Sequence, residues 1–146
     1  MRVEKGHAAG NELNGQTTAR DLGMGRMVSK KKDSIGSTLS ERPELNRDDG
    51  HTLMGFVPVD RTASLTSGSH FVANGAAPTT ANDEGYMTSV AYSPTLGHSI
   101  ALGFIKRGAD REGEVVLAVN LLGEQTIEVE IVSPHFYDAE GERLRV

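Results

Sequence analysis

Thr126-Ile127-Glu128-Val129-Glu130-Ile131 alternates branched apolar and polar residues without a break. A period of two puts Ile127, Val129 and Ile131 on one face and the polar residues on the other. That is the pattern of a strand with one buried side. Just upstream, Val115-Val116-Leu117-Ala118-Val119 is apolar at every position, so this strand is expected to carry apolar side chains on both faces. Working outward, strands are expected at 53–59, 85–91, 99–106, 114–121 and 126–132. A further strand follows a turn at Gly68 and closes at Asn74-Gly75, a strong hairpin signal. Residues 76–84 have little apolar bulk and read as a mobile loop. Short strands separated by turn residues at this spacing favour a small antiparallel barrel or sandwich. The fold class is therefore mainly β with short helices (α+β), with a carboxyl-terminal antiparallel β-barrel or jelly-roll-like domain.

The first fifty residues read differently. Val3 and Glu4 in Arg2-Val3-Glu4-Lys5-Gly6 alternate like a strand that Lys5-Gly6 ends at once, which leaves Glu4 at a strand end. Residues 10–15 are loop-like. Thr17-Thr18 can cap a short helix over 19–22, with Asp21 placed to meet the free amides of its first turn. Gly23 and Gly25 stop that helix, and Met24, Met27 and Val28 read as packing residues. Lys30-Lys31-Lys32-Asp33 forms a polar turn, and a second short helix is expected at 35–39, ending before Pro43. Residues 46–50 are polar and read as a linker.

Composition narrows the function classes. The 146 residues suit about one domain, and 37% apolar content fills one modest core. There is no Cys, which excludes disulfide frameworks and thiolate metal sites. The five histidines are scattered, without the close pairing of a zinc site. Residues 1–50 hold nine Lys/Arg and eight Asp/Glu, whereas residues 51–146 hold six and twelve. The acidic second part argues against a nucleic-acid surface. No apolar run reaches membrane-spanning length, and no secretory signal precedes the first charges. A soluble, cytoplasmic protein without nucleic-acid or membrane partners is expected.

Few residues can carry chemistry. The carboxylate of Glu4 can accept two parallel hydrogen bonds, which suits a group with adjacent N–H donors such as a guanidinium or a 2-amino-pyrimidinone edge. The plainer alternative is a surface carboxylate paired with Arg2 or Lys5. Thr88-Ser89 and Ser93-Pro94-Thr95 set hydroxyls around a turn, either to line a cleft or to satisfy nearby backbone amides. No Gly-x-Ser-x-Gly elbow supports a serine nucleophile, and Gly23-Met24-Gly25 lacks the third glycine of a dinucleotide fingerprint. Lys30-Lys31-Lys32 could meet a phosphate or a polyglutamate tail, although a solvated turn explains it as well.

Taken together, these residues resemble the glycine-cleavage T-protein (aminomethyltransferase) family. Arg2-Val3-Glu4-Lys5-Gly6 looks like its R-[LIV]-E-x-G segment. Residues 11–25, with Thr17-Thr18 and Leu22-Gly23, look like the stretch that follows. Gly85-Tyr86-Met87-Thr88-Ser89 to Ser93-Pro94-Thr95-Leu96, then Ile100-Ala101-Leu102-Gly103, look like a third segment. Lys5-Gly6-His7, Lys31-Lys32-Asp33 with Ile35-Gly36, and Phe136-Tyr137-Asp138 look most like the carboxyl-terminal part of sarcosine oxidase alpha subunits. Ser34 departs from the pattern, where an aromatic residue is usual.

The resemblance implies a tetrahydrofolate cofactor, with Glu4 hydrogen-bonded to the pterin ring. It implies that residues 1–46 are the tail of a truncated folate-binding domain and that residues 51–146 are the family's β-barrel domain. The catalytic Asp, the flavin and the NAD sites are expected upstream, in a missing amino-terminal part of the alpha subunit or in other sarcosine oxidase subunits. No catalytic or metal-binding residue is then expected here, and the fragment alone should be inactive. The alternatives are an aminomethyltransferase or dimethylglycine dehydrogenase-type folate domain, or a non-catalytic β-barrel interaction module.

Overall fold

A computed structural model describes residues 1–146 except Lys30, Asp33 and Val146, together with the side chain of Leu144. Six strands form the body: β1 (His51–Pro58), β2 (His70–Ala73), β3 (Gly85–Ser93), β4 (His98–Lys106), β5 (Val115–Asn120) and β6 (Gln125–Val132). They close into a barrel in the order β1-β4-β3-β2-β5-β6, with every pairing antiparallel. Closure leaves no free sheet edge. Each strand predicted from residue 53 onward is present to within two residues. The Asn74-Gly75 turn is there, with Gly75 at φ 82 and the Ala76 N–H donating to the Ala73 carbonyl. It does not close a two-residue hairpin, because β2 runs on through a 3-10 turn at Thr80–Asn82 before reaching β3.

The inward period-two residues fill the barrel. Phe56 of β1 stacks on Phe71 of β2, with ring centroids 4.0 Å apart and planes 19° apart. Val129 and Ile131 of β6 are fully buried around them, and Ile127 packs at the end of the same face. Each such side chain contributes roughly 1.5–3 kcal/mol by leaving water.

β4 is buried on both faces. Its outward Ile100, Leu102 and Phe104 join Leu53 of β1 in a second apolar cluster. Val3, Ala8 and Leu22 from the amino-terminal segment cover that cluster, together with Phe136 from beyond β6. Gly55 permits this, because a Cβ there would sit 2.7 Å from the Phe136 ring. The barrel therefore has one wall that is finished by residues outside it.

Several local expectations for the first fifty residues are corrected. Arg2–Lys5 is a one-turn helix, α1, not a strand. Its end is Gly6 at φ 74, whose N–H returns to the Val3 carbonyl, while the His7 N–H returns to Arg2. Four residues are too few to display either period, so the glycine stop decides the outcome. Residues 19–23 form turns, not a helix. The expected reciprocal cap is nevertheless made: the Thr18 N–H donates to Asp21 Oδ2 at 2.8 Å and the Asp21 N–H to Thr18 Oγ1 at 3.3 Å. The second short helix is α2 (Ser37–Ser40), two residues later than expected at its start. Met24, Met27, Val28 and Ile35 are exposed, so they do not pack within this chain. Lys31 and Lys32 are exposed too. The rest of the expected polar turn, Lys30 and Asp33, lies outside the described residues.

Candidate functional site

Strand β3 reads two carboxylates from the amino-terminal segment. Glu4, on α1, is buried at 8% exposure. Its Oε1 accepts from the Ser93 hydroxyl at 2.5 Å, and its Oε2 lies 3.0 Å from the Met1 ammonium. The Ser93 hydroxyl also accepts from the Leu96 N–H at 3.1 Å, so it closes the β3–β4 turn and holds Glu4 with one atom. The Ser93 bond first, and the Met1 ammonium second, keep the Glu4 carboxyl below its ordinary value. Neither Arg2 nor Lys5 pairs with Glu4. Arg2 reaches Glu12 and Ser89, and Lys5 bonds Asp138. The reading of Glu4 as a surface ion pair with these neighbours is thereby overturned.

Four places along β3, Glu12 is fully buried. Its Oε1 accepts from both the Thr88 and Ser89 hydroxyls at 2.5 Å. Its Oε2 accepts from the Ala9 N–H at 2.9 Å and from Arg2 Nη1 at 3.3 Å. Adjacent residues of a strand normally face opposite ways. Here the β3–β4 register slips between Met87 and Ser89, leaving Thr88 as an extra residue. This β-bulge turns two consecutive hydroxyls toward one carboxylate. Burial pushes the Glu12 carboxyl up, but the Ser89 and Thr88 hydroxyls, the Ala9 N–H and Arg2 outweigh it, and the net shift is downward.

The segment after β6 completes the site. The Phe136 and Tyr137 N–H groups both donate to the Glu4 carbonyl, at 3.0 and 3.1 Å. His135 Nδ1 lies 2.9 Å from the Lys5 carbonyl, and Lys5 Nζ lies 3.3 Å from Asp138 Oδ2. Gly6 runs directly under Pro134 and His135, where a Cβ would collide with both. The helix that carries Glu4 is thus gripped from two sides. A separate cleft of about 380 Å³ opens between residues 14–21, the 44–51 stretch and the Tyr86–Phe104 aromatic pair, and neither Glu4 nor Glu12 lines it. Among the described residues, no three His, Asp or Glu side chains converge as metal ligands, and no helix is long and apolar enough to cross a membrane.

Residues 51–138, the whole barrel and the start of the segment that grips α1, match the glycine cleavage T-protein C-terminal barrel domain. The chain belongs to the glycine cleavage T-protein family. It is 45% identical to the sarcosine oxidase subunit alpha of Rhizobium meliloti (strain 1021), over 100% of this chain and 15% of that protein. It is 31% identical to an aminomethyltransferase of Corynebacterium jeikeium (strain K411), over 96% of this chain and 36% of that one. The chain therefore spans only a minor part of these relatives. A solved structure of the glycine cleavage system aminomethyltransferase T from Bartonella henselae aligns with a TM-score of 0.73 at 22% identity, covering 94% of this chain and 37% of that one. That likeness concerns the fold.

Within this T-protein frame, the sequence reading named Glu4 and the hydroxyls of β3 as candidates, and the structure brings Ser93 to Glu4. It missed Glu12. The available signal was a carboxylate in the glycine-rich loop that follows α1, but its partners lie 76 and 77 positions away.

Proposed function

We propose that this chain is the carboxyl-terminal part of a sarcosine oxidase alpha subunit. In this reading, residues 1–46 are the tail of its folate-binding domain and residues 51–146 the β-barrel that walls the folate cavity. The one-carbon unit released by sarcosine oxidation is captured there on tetrahydrofolate as the 5,10-methylene form. Flavin and NAD belong to the remainder of the longer polypeptide and its partner subunits. The observation that carries this reading is the 45% identity to a sarcosine oxidase subunit alpha along the entire chain.

Glu4 is the residue assigned to the pterin. Its donor set fits such a ring, whose 2-amino-pyrimidinone edge presents adjacent N–H groups. A carboxylate has about four lone-pair sites. Ser93 uses one of them on Oε1, which leaves acceptor sites on the carboxylate for such an edge. When bound, tetrahydrofolate supplies the nucleophilic nitrogens that take up the one-carbon unit. This chain contributes the orienting carboxylate and a water-poor wall.

The test is tetrahydrofolate titration of the chain, alone and continued by the sequence encoded immediately upstream of Met1. Saturable binding that Glu4→Gln weakens about a hundredfold supports the reading, because the amide replaces one acceptor by a donor facing the ring's own N–H groups. An affinity that stays within about twofold returns Glu4 to a purely structural role. A second reading, an aminomethyltransferase-type folate domain, is favoured by the identity to aminomethyltransferases. An upstream half with flavin and dinucleotide motifs decides for the oxidase.

A further inference from the structure

We infer that Glu12 is a positioning residue for Glu4, acting through the two-hydroxyl clamp that the β3 bulge creates. The inference rests on the reading of Glu4 as the pterin contact, and it adds a residue to that site.

The argument begins with spacing. α1 is only four residues long and has no side-chain cap, so it cannot hold its own position. Its bonds to the barrel come at two points of one strand. Ser93 holds Glu4 directly. Thr88 and Ser89 hold Glu12, and Glu12 in turn holds Arg2, the first residue of α1. Arg2 closes the loop by donating to Ser89 Oγ at 2.7 Å and to the His7 carbonyl at 2.9 Å. Glu12, Arg2 and Ser89 therefore form a closed triangle of hydrogen bonds at the start of the helix that carries Glu4. Glu12 is fully buried, so it cannot itself be the ligand contact. With its carboxylate removed, Arg2 loses a buried counter-charge and the start of the helix is held by Ser89 and the His7 carbonyl, while Ser93 still bonds Glu4 and Asp138 still bonds Lys5. Glu4 then samples several orientations, and a contact that depends on two parallel hydrogen bonds is lost with its geometry.

The experiment compares Glu12→Ala with the double variant Thr88→Val/Ser89→Ala, which removes the clamp from the other side. The first readout is amide hydrogen exchange in the 146-residue chain. Phe136 and Tyr137 donate to the Glu4 carbonyl and report whether α1 is docked; Val59 and Ile131, paired with Glu128 and Glu114, report the barrel. We expect exchange at Phe136 and Tyr137 to accelerate about tenfold or more in both variants, while Val59 and Ile131 stay within about twofold. If Phe136 and Tyr137 stay within about twofold of the unaltered chain, or if Val59 and Ile131 accelerate equally, the inference is overturned. If Glu12→Ala does not fold, the clamp variant decides alone.

The second readout is the tetrahydrofolate dissociation constant in a double-mutant cycle. A positioning role requires that Glu12→Ala adds little once Glu4→Gln is present, whereas independent, multiplying losses overturn it. Failure of the chain to bind folate, or indifference of binding to Glu4→Gln, removes the folate reading instead. In that event the exchange pattern still decides whether Glu12 fixes the helix that bears Glu4.

Discussion

The barrel and the first fifty residues obey different rules of folding, and the boundary between them does not fall where composition changes. In the barrel, period-two alternation, closure and a stacked Phe56–Phe71 pair fix each strand against two neighbours. Residues 1–22 have almost no regular structure, yet they are held closely, through Val3, Leu22, two buried carboxylates and the Leu53 N–H bond to the Asp21 carbonyl at 2.7 Å. Among the described residues of 23–50, none is buried, although Met27, Ile35 and Leu39 are apolar. Regularity and order are therefore separate properties here: specific polar contacts to a finished sheet can order a segment that has no sheet or helix of its own.

The strongest way to test this division is to break the barrel. Phe56→Ala removes the larger part of a fully buried stack and should cost about 3–5 kcal/mol. Urea unfolding followed at the barrel and at α1 should show both lost in one transition, because residues 1–22 have nothing else to dock on. Persistence of the α1 signal beyond the barrel midpoint would contradict the dependence.

Gly6→Ala should sharpen the comparison from the other side. The left-handed φ of 74 is unfavourable for alanine by about 1–2 kcal/mol, and its methyl collides with Pro134 and His135. Exchange protection at Phe136 and Tyr137 should fall while the thermal midpoint of the barrel shifts by only a few degrees. A barrel destabilised as strongly as the docked helix would mean that the two are one cooperative unit.

Acid should separate them more gently. Burial raises the Glu12 carboxyl, but the two hydroxyls and Arg2 hold it below its ordinary value overall. A group with a depressed folded pKa contributes stability that is complete above the unfolded value, about 4.3, and is lost as pH falls through the lower folded one. Glu4 is depressed by Ser93 in the same direction. Docking of residues 1–12 should therefore weaken below about pH 4.3, before the barrel does. Chemical shifts of Phe136 and Tyr137 titrated against those of Ile131 measure it, and coincident transitions would oppose the claim.

The smallest effect is expected between the two ordered regions. Met27→Ser or Ile35→Ser should change stability by less than about 0.5 kcal/mol in this chain, because both side chains already face water. Limited proteolysis should cut within residues 23–50 first, and protection there equal to that of the strands would show an order that the burial pattern does not.

These regions also mark what the sequence made legible. The six strands could be read because alternation, Gly68, Gly75 and the runs at 115–119 and 126–131 all agree with the final pairing. The double burial of β4 was not read, because it arises from residues 3, 8, 22 and 136 folding back onto it. Glu4 was legible as a carboxylate in search of a partner. Its helical setting was not, since one turn offers no period. Glu12 stayed hidden because its role depends on a register slip that no local pattern announces, and Met24 and Met27 misled because apolar character alone does not say what covers a residue.

The slip itself has a consequence for how this chain can change. Counting partners across β4, Met87 faces Gly103 and Ser89 faces Leu102, so Thr88 occupies no rung of the ladder. Deleting Thr88 leaves every later residue of β3, Ser93 included, opposite the same neighbour and on the same side. A single-codon loss would thus subtract one hydroxyl from Glu12, together with the Thr88 bonds to Leu102 and Ser67, and leave the register of the barrel unchanged, a discrete adjustment that substitution within a regular strand does not offer.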